Sequence, residues 1–97
     1  MISVDIPAYM INAEDKCKSD NIFINFSINH RENVLEILEE LKKVIPHTVS
    51  EWVDDNNHIK TNIIIVYNNK ILNKSKLSEQ IVFDGAHLEF LTQFAGG

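Results

Sequence analysis

The chain has a single cysteine, Cys17, so no internal disulfide and no cysteine-rich metal site can form. In the polar stretch EDKCKSD, Lys16 and Lys18 would favour its thiolate, yet the position reads as an incidental loop thiol before a reactive one. Basic residues are few, nine against fourteen acidic, for a net charge of -5, and they cluster no further than the pair Lys42-Lys43. Phosphate neutralisation needs a concentrated basic surface, so no nucleic-acid partner is expected. The longest purely apolar run, Ile63 to Tyr67, falls far short of the about 20 residues that cross a bilayer, so no membrane association is expected either. The opening MISVDIPAYM has no basic segment ahead of its apolar residues and lacks the form of a signal peptide, which makes a cytoplasmic location the default expectation.

Catalytic signatures are equally scarce. HExxH, P-loop, GxGxxG and GxSxG patterns do not occur, and the four histidines, His30, His47, His58 and His87, fall in separate elements. His47 and Glu51 stand four apart, but a zinc site wants three or four ligands and nothing nearby supplies them, so no metal is expected. Asp54-Asp55 beside His58 reads as a solvated turn, because a catalytic carboxylate pair needs burial to shift its pKa. The expectation is a protein that is not itself an enzyme and binds no cofactor.

What remains is an ordinary folded domain, 44% hydrophobic and 24% charged over 97 residues, enough for one core. In ISVDIP, Ile2, Val4 and Ile6 alternate with Ser3 and Asp5, the period of a half-buried strand ending at Pro7. Residues 9–21 are mostly polar and read as a long loop. IFINFSI repeats the alternation with Ile22, Ile24, Phe26 and Ile28 inward; Phe23 falls on the other face, as edge packing or as a contact to a second layer or a partner. NVLEILEELKKVIP changes period: Val34, Ile37, Leu38, Leu41 and Ile45 form a helical stripe, Asn33 and Glu36 a capping box, Glu39 and Lys43 an outer-face pair, and Pro46 a stop. TVSEWVDD predicts a short second helix capped at Thr48, with Glu51 three positions later. NIIIVYNNKIL predicts a central strand, a turn at Asn68-Asn69 and a short return strand at Ile71-Leu72. A connection anchored by Leu77, Ile81 and Phe83 leads through Asp84-Gly85 to a last strand, HLEFLTQF, with Leu88 and Phe90 on one face and His87, Glu89 and Leu91 on the other. One apolar helix stripe calls for one sheet face, so a sheet wrapped over one main helix is the economical packing.

Glycine is the last scarcity. The chain has three, and two of them are Gly96 and Gly97, a terminal pair that chance would give roughly once in 200 chains. Gly-Gly has the least width and the freest backbone, so an arm ending this way can be threaded into a narrow cleft of another protein. Its tip would be the α-carboxylate of Gly97, ionised at neutral pH and resistant to attack until an oxygen becomes a good leaving group. Adenylation supplies that leaving group. A sulfur nucleophile would then leave a thiocarboxylate, and a lysine an isopeptide bond.

In these segments the chain resembles the ThiS/MoaD family of sulfur carriers. ISVDIP is similar to the family's opening strand, NVLEILEEL to its capped helix and NIIIVYNNKIL to its strand and hairpin, and DGAHLEFLTQFAGG has the spacing from Asp-Gly to Gly-Gly. The long loop after IP and the TVSEWVDDNNHIK segment look most like the branch serving cysteine synthesis or secondary metabolism. Thr92-Gln93 stands where many relatives carry Pro-Pro or Pro-Ala, and Asn69 where they carry the hairpin glycine.

The resemblance implies an α+β, ubiquitin-like β-grasp fold, a mixed sheet of four to five strands on one main helix. The domain would span 1–94 and a flexible tail 95–97. Gly97 would be adenylated by an E1-like adenylyltransferase that uses ATP, then carry sulfur from a sulfide or persulfide donor to a biosynthetic enzyme that accepts it. Gly96, Ala95 and Phe94 would form the part inserted into the partner's channel, and Leu91 and Phe94 would either contact the partner or pack on the domain. The resemblance also covers a molybdopterin-synthase small subunit, and a ubiquitin-like modifier joined through Gly97 to protein lysines.

Overall fold

The computed structural model describes residues 1–15, 21–56 and 58–93. β1 (Ile2–Pro7) buries Ile2, Val4 and Ile6 completely, as its alternation requires, and turns Ser3 and Asp5 outward. It pairs antiparallel with β2 (Phe23–Ile28) from Ile2↔Ile28 to Pro7↔Phe23. α1 (Val34–Val44) follows, its first turn capped by Asn33, whose Oδ1 accepts the Glu36 N–H at 3.0 Å. Val34, Ile37, Leu38 and Leu41 face the core, continued by Ile45. α2 (Pro46–Trp52) packs against α1, and the chain then enters β3 (Ile63–Tyr67), β4 (Lys70–Ile71) and β5 (His87–Thr92).

The five strands make one mixed sheet in the order β2-β1-β5-β3-β4. β1 and β5 run parallel, and the other neighbours are antiparallel. Asn68 and Asn69 join β3 to β4 with φ of 46° and 72°, the pair of positive values that a type I′ hairpin turn demands and that asparagine tolerates. One face of the sheet carries the core with α1 and α2 laid over it. At its centre Phe90 is fully buried and stacks on Trp52, with ring centroids 4.8 Å apart and planes 20° from parallel.

Several expectations need correction. Ile22 is 79% exposed, because it precedes β2 at the sheet edge where nothing among the described residues covers it. Pro46 stands just past the end of α1, as expected, but it also opens α2, where its missing N–H is no loss. Thr48 is then inside α2 and fully buried, so it cannot be that helix's cap. The return strand is Lys70–Ile71, one residue earlier than expected, and Ile71 is exposed. In the connection before β5, Leu77 is a buried anchor, but Ile81 and Phe83 are exposed and Val82 between them is buried, held by its N–H to the Glu32 carbonyl at 2.9 Å. Lys43 meets Glu40, already paired with Arg31, and not Glu39.

The cap of α2 comes from far away in the chain. Ile45 precedes the helix and offers no side-chain acceptor. Asp15 fills the gap: its carboxylate accepts the N–H of His47 at 3.1 Å and of Thr48 at 2.7 Å, and the Thr48 hydroxyl as well. Asn12 adds its own N–H to Thr48 Oγ1 at 2.8 Å. The turns that follow β1 are thereby tied to the helix layer.

Burial pushes the Asp15 carboxyl pKa upward, but the hydrogen bonds from the Thr48 hydroxyl, the Thr48 N–H and the His47 N–H together outweigh it, leaving the pKa below the ordinary 3.8. A depressed folded-state value means that this contribution to stability is whole above about pH 4 and is lost as pH falls through the folded pKa. Asp15→Ala should therefore cost about 1 kcal/mol at neutral pH, the usual loss for a helix cap. The difference from the parent, measured by urea denaturation at neutral and strongly acidic pH, should shrink in acid.

Candidate functional site

The last strand leads toward the tail from the middle of the sheet. β5 is bonded on one side to β1, along Ser3↔His87, Val4↔Leu88 and Asp5↔Glu89, and on the other to β3, from Ile63↔Thr92 to Tyr67↔Leu88. Two further contacts carry the fixed backbone to its end. The Gln93 N–H donates to the Asn62 carbonyl at 2.7 Å, and Thr92 Oγ1 donates to the Tyr9 phenol oxygen at 2.9 Å. Tyr9 arrives from the turn directly after β1, so the two parallel central strands are joined again at this end. A depression of about 260 Å³ opens here, lined by Tyr9, Met10, Trp52, Asn62 and Thr92 among others.

Residues of odd number on β1 and β5 face away from α1 and form the open side of the sheet. Leu91 is half-buried there and pairs across with Ile64 of β3, also half-buried. Val66 and Glu89 form the next pair toward the other end. Behind this apolar segment lies a polar one. His87 Nε2 is 3.2 Å from Asp5 Oδ2 and 3.3 Å from Glu89 Oε1, and Asn25 Nδ2 donates to Asp5 Oδ1 and Ser3 Oγ at 2.7 Å each. Along β5 the open face thus changes from polar at His87 to apolar at Leu91.

Both carboxylates converge on one nitrogen of His87. Among the described residues no group of three or more His, Cys, Asp or Glu side chains is arranged to hold a metal. His47 and Glu51 do not act together: His47 Nδ1 lies 3.4 Å from Glu14, and Glu51 accepts from the Asn12 amide. Asp54 organises its own turn, accepting the N–H of His58 and of Asn56, and these bonds hold its carboxyl below the ordinary value.

Of the residues singled out from the sequence, Leu91 is placed on the open face of β5, two residues before the last described residue, Gln93. Phe94, Ala95, Gly96 and Gly97 lie outside the described residues, as does Cys17. Tyr9, Thr92 and Asn62, which fix the end of β5, carry no signal in the hydrophobic period, since their roles come from contacts 83 and 31 positions away in the chain. Asp5 and His87 were each assigned the outward face, but only the parallel pairing of β1 with β5 brings them together.

No helix among the described residues is long and apolar enough to cross a membrane. No family model matches the chain, and no curated protein matches it. Solved structures do. A chain of the BexX/CysO complex from Amycolatopsis orientalis superposes with a TM-score of 0.74 at 21% identity over 100% of both chains. SAMP1 from Haloferax volcanii gives 0.70 at 17% identity, covering 99% of this chain and 98% of that one. A second structure from that organism, of small archaeal modifier protein 1, gives 0.69 at 15% over 96% and 97%.

If Tyr9 braces the strand end, Tyr9→Phe removes one hydrogen bond and little packing. The net worth of such a bond, about 0.5–1.5 kcal/mol, predicts roughly two- to tenfold faster amide exchange at Gln93, read by NMR, with amides of α1 unchanged.

The full-length superpositions, together with the mixed sheet order and the helix laid across it, identify the chain as an α+β protein of the ubiquitin-like β-grasp fold.

Proposed function

We propose that the chain is a sulfur carrier of the ThiS/MoaD kind, a protein cosubstrate whose reactive group is the α-carboxylate of Gly97. The observation that carries this reading is the position of Gly96-Gly97 directly beyond the braced end of the central strand: Gln93 is still hydrogen-bonded to the body, and the glycine pair follows within four residues. The domain of residues 1–94 serves as the handle and residues 95–97 as the arm.

The chemistry runs in two steps. In an E1-like partner, a carboxylate oxygen of Gly97 attacks the α-phosphorus of ATP, forming the acyl adenylate and releasing pyrophosphate. Sulfide then attacks the acyl carbon; a C–S bond forms, the C–O bond to AMP breaks, and a thiocarboxylate remains. Its sulfur is ionised at neutral pH and nucleophilic, ready for an accepting biosynthetic enzyme that makes a small molecule such as cysteine, a cofactor or a secondary metabolite. Gly96 and Ala95 leave the arm narrow enough for both partners' channels. Leu91 with Ile64 offers the apolar ground nearest the arm on which such a partner can seat.

A second reading, a modifier joined through Gly97 to lysine side chains, shares the adenylation step and is favoured by the likeness to small archaeal modifier protein 1. The product separates the two. Incubated with ATP, an E1-like enzyme and sulfide, the chain should gain the mass of one oxygen-to-sulfur exchange at its C-terminal peptide, and removal of Gly96 and Gly97 should abolish the gain. Isopeptide-linked Gly97 in a cell extract, with no exchange of oxygen for sulfur, would establish the modifier reading instead.

A further inference from the structure

β2 forms one edge of the sheet, and its own sequence has none of the charges, prolines or glycines by which such edges are guarded. From residue 21 to residue 29 the chain reads NIFINFSIN, with no charge, no proline and no glycine. The Ala8 N–H bonds the Ile22 carbonyl at 2.8 Å, in step with the β1–β2 register. Residues 22, 24, 26 and 28 therefore point their backbone groups at β1, and alternation turns those of Phe23, Asn25 and Ser27 to the outside. The side chains at this edge are incompletely covered: Ile22 is 79% exposed and Phe23 42%, and Ile24 and Phe26 are only half-buried.

We propose that this edge pairs with the same edge of a second copy, antiparallel and two-fold symmetric about Asn25, making one continuous sheet across two molecules. That register uses the whole length from Ile22 to Ile28. Asn25 meets its own counterpart, and Phe23 meets Ser27 of the other copy, in the pairs that exchange backbone hydrogen bonds. On the helix side, Ile24 lies across from Phe26 and Ile22 across from Ile28, each twice by symmetry. These are the close, non-hydrogen-bonded pairs in which an aromatic or β-branched partner contributes most. The exposed Ile22 and the half-buried Ile24 and Phe26 of each copy are thereby covered, next to an Ile28 that is already buried. The absence of charge on the strand matters because the whole chain carries -5 and two copies otherwise repel.

A second copy fits this edge because the pattern is complementary to itself. The contact is a single strand wide and smaller than the roughly 800 Å² per partner of a stable interface, so the dimer is weak and concentration-dependent. Two strands separate β5 of each copy from the two-fold axis, which sets the two β5 strands about 24 Å apart and antiparallel. The arms then leave from opposite ends, and each remains open to a partner.

The test uses the full chain under reducing conditions, so that Cys17 forms no cross-link. Sedimentation equilibrium from micromolar to millimolar protein should show reversible dimer formation. Amide exchange at Phe23, Asn25 and Ser27 should slow as concentration rises. Asn25→Lys keeps a donor for Asp5 and Ser3 but sets like charges against each other on the axis; it should weaken the dimer about tenfold or more. A chain that stays monomeric at millimolar concentration overturns the proposal. So does a dimer that Asn25→Lys leaves intact, or protection of the three amides that does not depend on concentration. Should the variant fail to fold, the exchange measurements on the parent chain decide alone.

Discussion

Everything else in the structure depends on the parallel pairing of the first strand with the last. Parallel neighbours cannot be joined by a tight turn, so the whole of the chain between them must form the crossover, and here it supplies both helices and the other three strands. β1 and β5 bury Ile2, Val4, Ile6, Leu88 and Phe90 completely, side by side beneath α1 and α2. Burial of side chains of this size is worth about 1.5–3 kcal/mol each, which makes the pair of strands the most strongly anchored part of the molecule. The last described residue, Gln93, is therefore one step from the end of a strand anchored in the core.

The helix layer is secured by polar contacts of long sequence separation. α2 is too short to be stable alone. It is held by the Trp52 ring on Phe90 and by the Asp15 carboxylate at its first turn, so a core contact and a cap from the post-β1 turns act on opposite ends of seven residues. The same turns supply Tyr9 to Thr92. One stretch after β1 thus braces both the second helix and the end of the last strand.

The sequence made the elements with a strong period legible. β1, α1 and β5 lie where alternation or the helical stripe places them, with the expected faces, because each buries one face against a continuous core. The asparagine turn was legible for a different reason, since few residues accept two successive positive φ values. Elements that rely on distant partners were not legible. Pro46 carries the same letter whether it stops one helix or opens the next, and Asp15, 32 residues before His47, gives no sign of capping it. Ile81, Val82 and Phe83 are all apolar, and only the bond from Val82 to the start of α1 decides which is buried. The placing of Leu91 on an open face was legible, but the apolar-to-charged gradient it belongs to needed the strand order.

The shifted carboxyls share one direction and one kind of duty. Among the described residues four carboxyls are shifted, and all four are shifted downward. The Arg31 guanidinium, with Lys43, does it at Glu40; backbone N–H groups of His58 and Asn56 do it at Asp54; the Met1 ammonium does it at Asp84; and at Asp15 the bonds to Thr48 and His47 overcome burial. General acid–base catalysis at neutral pH calls for the opposite, a carboxyl raised toward 7 by an apolar surrounding. In this body the environment of every shifted carboxylate favours the ionised form and uses it to hold the chain: a helix cap, a turn, an ion pair.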